Sequence, residues 1–143
     1  MASTEKKLRT RPSPWLGFTL IELMVALAIV GVLAAIAIRS YQAHLTKTRR
    51  YAAQTCLMEQ AQYMERYYTT NNMTYVGSTL PTTQCTSDLT RYYSFGFAAN
   101  QPTATTFIVQ ASATASQTVA DPNCTALTVS NTGARLPAAG CWP

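Results

Sequence analysis

Charge is scarce in this 143-residue chain, where Asp, Glu, Lys and Arg together make up 12% against 48% hydrophobic residues. So apolar a balance excludes a disordered chain, and gathering the apolar residues in one segment excludes a plain soluble domain. Histidine is rarer still. His44 stands alone, with no carboxylate or cysteine at ligand spacing beside it, so it reads as a solvated helix residue and no metal site is expected. The cysteines show no paired CxxC spacing, which removes the zinc-ribbon and thioredoxin-like motifs. A nucleophile elbow, a second histidine and a working pair of carboxylates are also missing, which leaves nucleophilic and acid-base catalysis without their players. No enzyme is expected, no catalytic residue is assigned, and no cofactor is implied.

Acidic residues number six against eleven Lys and Arg, a formal net charge of +5. That excess suggests nucleic acid until it is located. Lys6, Lys7, Arg9 and Arg11, set against Glu5 alone, take three of the five charges within residues 1–17 and leave +2 for the remainder. A basic-domain reading fades with that division. Lys47, Arg49 and Arg50 form a second basic group that reads equally as a solvated face or as a contact for lipid headgroups or acidic neighbours. Tyr63, Tyr67, Tyr68, Tyr92 and Tyr93 read as helix-sheet packing rather than a stacking platform, so nucleic acid is the lesser partner hypothesis.

What the chain does have is one long apolar run. Phe18 to Ile38 holds 21 residues with Glu22 as its only charge, and at about 1.5 Å per residue such a helix matches a bilayer core of about 30 Å. The run exceeds the apolar core of about 7 to 15 residues in a conventional secretory signal, and its sharpest break, Leu16-Gly17-Phe18, precedes it. Four basic residues lie on either side, so charge alone sets no orientation. Cys56, Cys85, Cys124 and Cys141 all follow the run, and an even, scattered set of four points to two disulfides and an oxidising compartment on the C-terminal side. Four cysteines permit three pairings, and the residues alone leave all three open. Glu22 is anomalous, because a carboxylate one turn into an apolar helix is costly in lipid unless something compensates it.

Downstream, Ala53, Cys56, Leu57, Ala61, Met64, Tyr67 and Tyr68 recur at intervals of three and four, with Arg50, Gln54, Glu59, Gln62 and Arg66 between them. The spacing predicts an amphipathic helix. With no Gly or Pro from Val32 to Tyr68, one helix is expected over about 18–68, and its apolar stripe needs a cover. Three short strands supply it: Tyr92 to Phe97, Thr105 to Ala113 and Leu127 to Ser130, bounded by turn-forming residues. Residues 69–90 connect helix to sheet. The expected fold class is therefore α+β, a long helix packed on a small antiparallel sheet.

The string Gly17-Phe18-Thr19-Leu20-Ile21-Glu22-Leu23, inside GFTLIELMVALAIVGVLAAIAIRSYQ, resembles the leader junction and N-terminal helix of type IV pilins. The likeness is strong to Gln42 and looser beyond. Its C-terminal stretch, ending Gly140-Cys141-Trp142, together with Met64-Glu65-Arg66-Tyr67-Tyr68 and Tyr92-Tyr93, resembles a minor-pilin-like branch. The resemblance implies a leader over 1–17, cleavage between Gly17 and Phe18 by a prepilin peptidase, N-methylation of Phe18, and pairing of Glu22 with the Phe18 amine of a neighbouring subunit. It also implies a disulfide from Cys124 to Cys141 around a C-terminal loop, leaving Cys56 and Cys85 for each other. The domains would be a transmembrane and polymerisation helix over 18–38 and a globular head over 39–143, with helix to 68, a connecting loop over 69–90 and the sheet and C-terminal loop over 91–143. Implied partners are other major and minor pilin subunits, the prepilin peptidase, the pilus assembly platform in the inner membrane, and lipid before assembly. The implied location is the bacterial inner membrane with a periplasmic head, then an extracellular pilus serving motility, adhesion or DNA uptake. A pseudopilin of type II secretion shares this helix but commonly fastens its C-terminal loop with calcium. A membrane-anchored binding module that never polymerises is the rival from another class. Two departures stand out: Arg39 occupies the position where the family usually carries a kinking proline, and the leader exceeds the handful of residues common before a Phe start.

Overall fold

The structure, a computed structural model, describes residues 17–138 and 140–142. The expected leader falls outside the described residues except for Gly17. The chain divides into two compact units, with the boundary between Ile38 and Arg39.

Helix α1 runs Leu20–Thr70, two residues later at each end than the sequence spacing suggests and with its 51 residues unbroken at Arg39. Its start is fixed by Thr19, whose hydroxyl accepts from the Glu22 amide at 3.3 Å and whose carbonyl accepts from the Leu23 amide at 3.2 Å. Its end is set by Asn72 and Met73, which adopt φ of 50° and 57°, a left-handed turn that lets the Met73 amide reach back to the Tyr68 carbonyl at 3.1 Å.

In the unit from Arg39 onward, four antiparallel strands follow in the order β1-β2-β3-β4: β1 Tyr93–Phe97, β2 Ile108–Ala113, β3 Ala126–Ser130 and β4 Arg135–Leu136. Phe95, Ala111 and Leu127 form one row across the sheet, and Phe97, Val109 and Val129 form the next. Two-residue periodicity places both rows on one face. Against them lie Ala53, Cys56, Leu57, Ala61 and Met64 of α1, closing a core completed by Tyr75, Leu89, Tyr93 and Phe107. Tyr75 sits at its edge, 4.5 Å from the Tyr68 ring and edge-on to Phe107 at 5.0 Å, spacings that favour aromatic pairs.

Three expectations need correction. Four strands are present rather than three, because Gly133 at φ 77° lets the chain turn back and add the two residues of β4 along β3, too short a piece to carry a strand pattern. Strand β2 begins at Ile108 rather than Thr105, since Thr103 and Thr106 bond each other through backbone and hydroxyl groups and hold that stretch in a turn. The 69–90 connection is not all loop: α2, Gln84–Leu89, is nucleated by a capping box in which the Thr83 and Thr86 hydroxyls each accept from the other residue's amide. A further short helix, α3 Ala115–Ala120, occupies the link after β2 and stops ahead of Pro122.

Candidate functional site

The first unit is an apolar surface with one charge. Phe18, Leu20, Ile21, Leu23, Met24, Val25, Leu27, Ile29, Val30, Val32, Leu33, Ile36 and Ile38 are each at least half exposed, on all sides of the helix. At about 1.5–3 kcal/mol for covering one such side chain fully, removing this set from water is worth on the order of 15 kcal/mol. By length and composition α1 is able to cross a membrane. Glu22 lies in its first turn, where the unpaired amides of a helix start favour a negative charge. One turn apart, Phe18 and Glu22 share a shallow groove of about 280 Å³ with Ala26 and Val30. Gly17 and Phe18 are exposed just before the helix.

In the second unit, Cys124 joins Cys141 with Cα atoms 5.6 Å apart, and Cys56 of α1 joins Cys85 of α2 at 5.9 Å, both separations normal for disulfides. The second bond fastens the connection to the helix. The first is held to α1 by groups on a polar ridge that includes Arg50 and Gln54, two of the positions lying between the apolar ones in the sequence pattern. Thr46, Arg50 and Gln54 lie four residues apart on one ridge of the helix and all three are buried. Arg50 Nη1 donates to both carboxylate oxygens of Asp121 at 2.9 and 3.2 Å and approaches Cys124 Sγ at 3.0 Å. Gln54 Nε2 donates to the Cys141 carbonyl, and the Thr46 carbonyl accepts from Gln117 Nε2 at 3.2 Å. The ridge thus clamps α3, the following 3₁₀ turn and the C-terminal disulfide onto α1. Intervening polar positions at helical spacing look the same whether they face water or a polar partner 71 residues away, so sequence held no signal for this clamp.

Lys47 remains on the exposed helix face, while Arg49 lies over the Tyr92 ring at 3.9 Å. Arg135 stands 5.5 Å from the Trp142 ring beside a groove shared with Tyr51, and Arg66 borders another with Tyr63 and Tyr67. Tyr68 and Tyr93 serve packing. Burial, reinforced by the charge of Glu65 and its 3.3 Å contacts, pushes the Tyr75 hydroxyl up to about 12, and burial raises Tyr93 likewise. His44 is exposed, and no group of three or more metal-ligating side chains occurs among the described residues.

Residues 16–38 match the model of the prokaryotic N-terminal methylation motif. A solved type IV pilin from Shewanella oneidensis is 32% identical, with the match covering 68% of this chain and 98% of that one at a TM-score of 0.54. Apolar helix, sheet and disulfide-closed C-terminal region define a type IV pilin. Residues 40–128 match the family described as type IV minor pilin ComP, DNA uptake sequence receptor, and the chain belongs to that family. Among curated relatives, the type IV major fimbrial protein FimA of Dichelobacter nodosus is 39% identical over 70 residues, 40% of this chain and 45% of its own length. Fimbrial protein EcpB of Eikenella corrodens is 61% identical over 33 residues, 23% of this chain and 21% of its own. The chain thus spans less than half the length of these curated relatives. This family has a structural role and is not one of enzymes.

Proposed function

We propose that the chain is a minor subunit of a type IV pilus, held in the inner membrane by residues 18–38 with residues 39–143 on the periplasmic side, then packed helix to helix into a filament. The single observation carrying this reading is the all-round apolar surface from Phe18 to Ile38, with Glu22 as its one charge. Lipid satisfies such a surface and so does a bundle of like helices, but water does not. Cleavage after Gly17 by a prepilin peptidase would free the Phe18 amine, and methylation would keep it cationic. A neighbour's amine beside Glu22 would give that carboxylate a partner in a low-dielectric bundle and fix the axial register. Glu22→Gln tests this: the variant is expected to be cleaved normally and to accumulate in the membrane at the expense of sheared filaments. Normal incorporation would remove Glu22 from assembly.

A second reading, that the head binds DNA, is favoured by the description of its family as DNA uptake sequence receptors. Three arginines beside exposed or half-buried aromatic rings, Arg49 with Tyr92, Arg66 with Tyr67 and Arg135 with Trp142, suit contacts to phosphates and bases. Fluorescence anisotropy on labelled duplex across a salt series is the test. Affinity should fall steeply with salt, and Arg135→Gln should reduce the log-log slope by about 1. Salt-independent binding, or none, would discard this role and leave the assembly reading standing.

A further inference from the structure

Between α1, α2 and β1 lies a cavity of about 380 Å³ that neither assembly nor DNA contact uses. Its size falls in the range of about 300–1,000 Å³ typical of small-molecule sites. Its chemistry is unusual for this surface, because no charged residue lines it. Phe95 provides an aromatic wall, and Thr86, Ser87, Thr90 and Ser94 contribute hydroxyls. Gln60 of α1, only 1% exposed, also lines it, and its Oε1 has no hydrogen-bond partner. A buried carbonyl oxygen left unpaired is costly and calls for a donor.

The committed hydrogen bonds narrow the donor's identity. Thr86 Oγ1 already donates to the Thr83 carbonyl at 2.9 Å, and Thr90 Oγ1 donates to the Ser87 carbonyl at 3.0 Å. Their protons are spent, so these two oxygens remain as acceptors, whereas the Tyr93 hydroxyl, which also lines the cavity and is buried without a partner, keeps a proton to donate, as does the Gln60 carboxamide. An uncharged cavity that offers both donors and acceptors disfavours phosphate and carboxylate, whose charge would find no counterion there. It suits a neutral ligand with several hydroxyl groups, each both donor and acceptor, arrayed on an apolar ring that lies against an aromatic wall. We propose that this cavity is a binding site for a neutral carbohydrate, of the size of one pyranose ring, lodged between Gln60, Phe95 and the hydroxyls of Thr86 and Thr90. The site is separate from the arginine and aromatic pairs assigned to DNA, so either assignment can fail alone.

The test is an NMR titration of the full ¹⁵N-labelled chain in an amine oxide detergent, which brings neither sugar nor phosphate of its own. Probes are N-acetylglucosamine, galactose and mannose, with inorganic phosphate as the anionic control. At least one sugar is expected to give saturable millimolar shifts at the Gln60 carboxamide and the amides of residues 86–95, and phosphate none. Thr90→Tyr, placed at the exposed rim, should fill the mouth and abolish those shifts while leaving the other amides unchanged. Gln60→Leu should weaken binding tenfold or more, and if that variant unfolds the rim variant still decides. Silence from all three sugars, displacement of the sugar by phosphate, or shifts that survive Thr90→Tyr would overturn the proposal.

Discussion

Removing the Asp121 carboxylate should cost the head a large share of its stability. Arg50 is held inside the head with its side chain 9% exposed, and Asp121, 14% exposed, supplies both oxygens that receive Nη1. Arg50 Nε has no partner of its own, and without Asp121 the guanidinium would keep, among the described residues, the weak acceptor Cys124 Sγ and the Tyr51 ring 5.8 Å away. Breaking a buried pair by deleting one member costs about 3–5 kcal/mol, because the other charge is left uncompensated. Against a total of about 5–15 kcal/mol for a domain of this size, Asp121→Ala should leave a marginal head. At about 4 °C per kcal/mol the midpoint should fall by roughly 12–20 °C. Replacing the pair together, with Arg50→Met and Asp121→Leu, should restore most of that loss, since the cost lies in the orphaned charge rather than in the missing attraction. Near-ultraviolet circular dichroism of the full chain in detergent, under non-reducing conditions, follows tertiary unfolding without interference from the micelle-held helix. A single variant within about 0.5 kcal/mol of the parent, the range of ordinary surface substitutions, would refute the clamp. So would a double variant no more stable than the single one.

Cys141→Ser should lower stability by about 3 kcal/mol on chain-entropy grounds, read by the same melts. A non-reducing peptide map should recover Cys56 with Cys85 and Cys124 with Cys141, whereas a Cys56 to Cys141 peptide would contradict the pairing. Thr83→Ala removes half of the capping box on α2 and should cost about 1 kcal/mol, visible as faster amide exchange over Gln84–Leu89. For Tyr75, the folded hydroxyl at about 12 lies above its ordinary 10.0, so the unfolded phenol ionises first. Stability should hold below pH 10 and decline as pH rises from 10 to 12, and Tyr75→Phe should flatten that decline in melts across the window.

The features most legible in the sequence were those written by local pattern. The 21-residue run with Glu22 announces itself by composition, and the spacing of Ala53, Leu57, Ala61 and Met64 reports the face that the sheet covers. Less legible were elements fixed by single side chains. The cap at Thr83 uses Thr86 where a Glu or Gln would have been the usual flag, and β4 has only two residues to show. Arg50 was the clearest failure. Its place beside Lys47 and Arg49 left a solvated face and a contact with headgroups or acidic neighbours equally open, yet it lies one helical turn from Thr46 and Gln54 and opposite an aspartate of its own chain that only folding brings near. Long-range polar pairs of this kind leave no periodic trace, which is also why the orphaned Gln60 oxygen could not be foreseen.

The central claim is that residues from Phe18 onward enter a filament. Quantitative mass spectrometry of sheared and purified surface filaments addresses it directly, reading the N-terminal peptide of this chain and its ratio to other pilins. The expected result is a peptide that begins at N-methylated Phe18, present at a small fraction of the major subunit. Filaments that lack the chain, or that carry it with Gly17 still attached, would contradict the account.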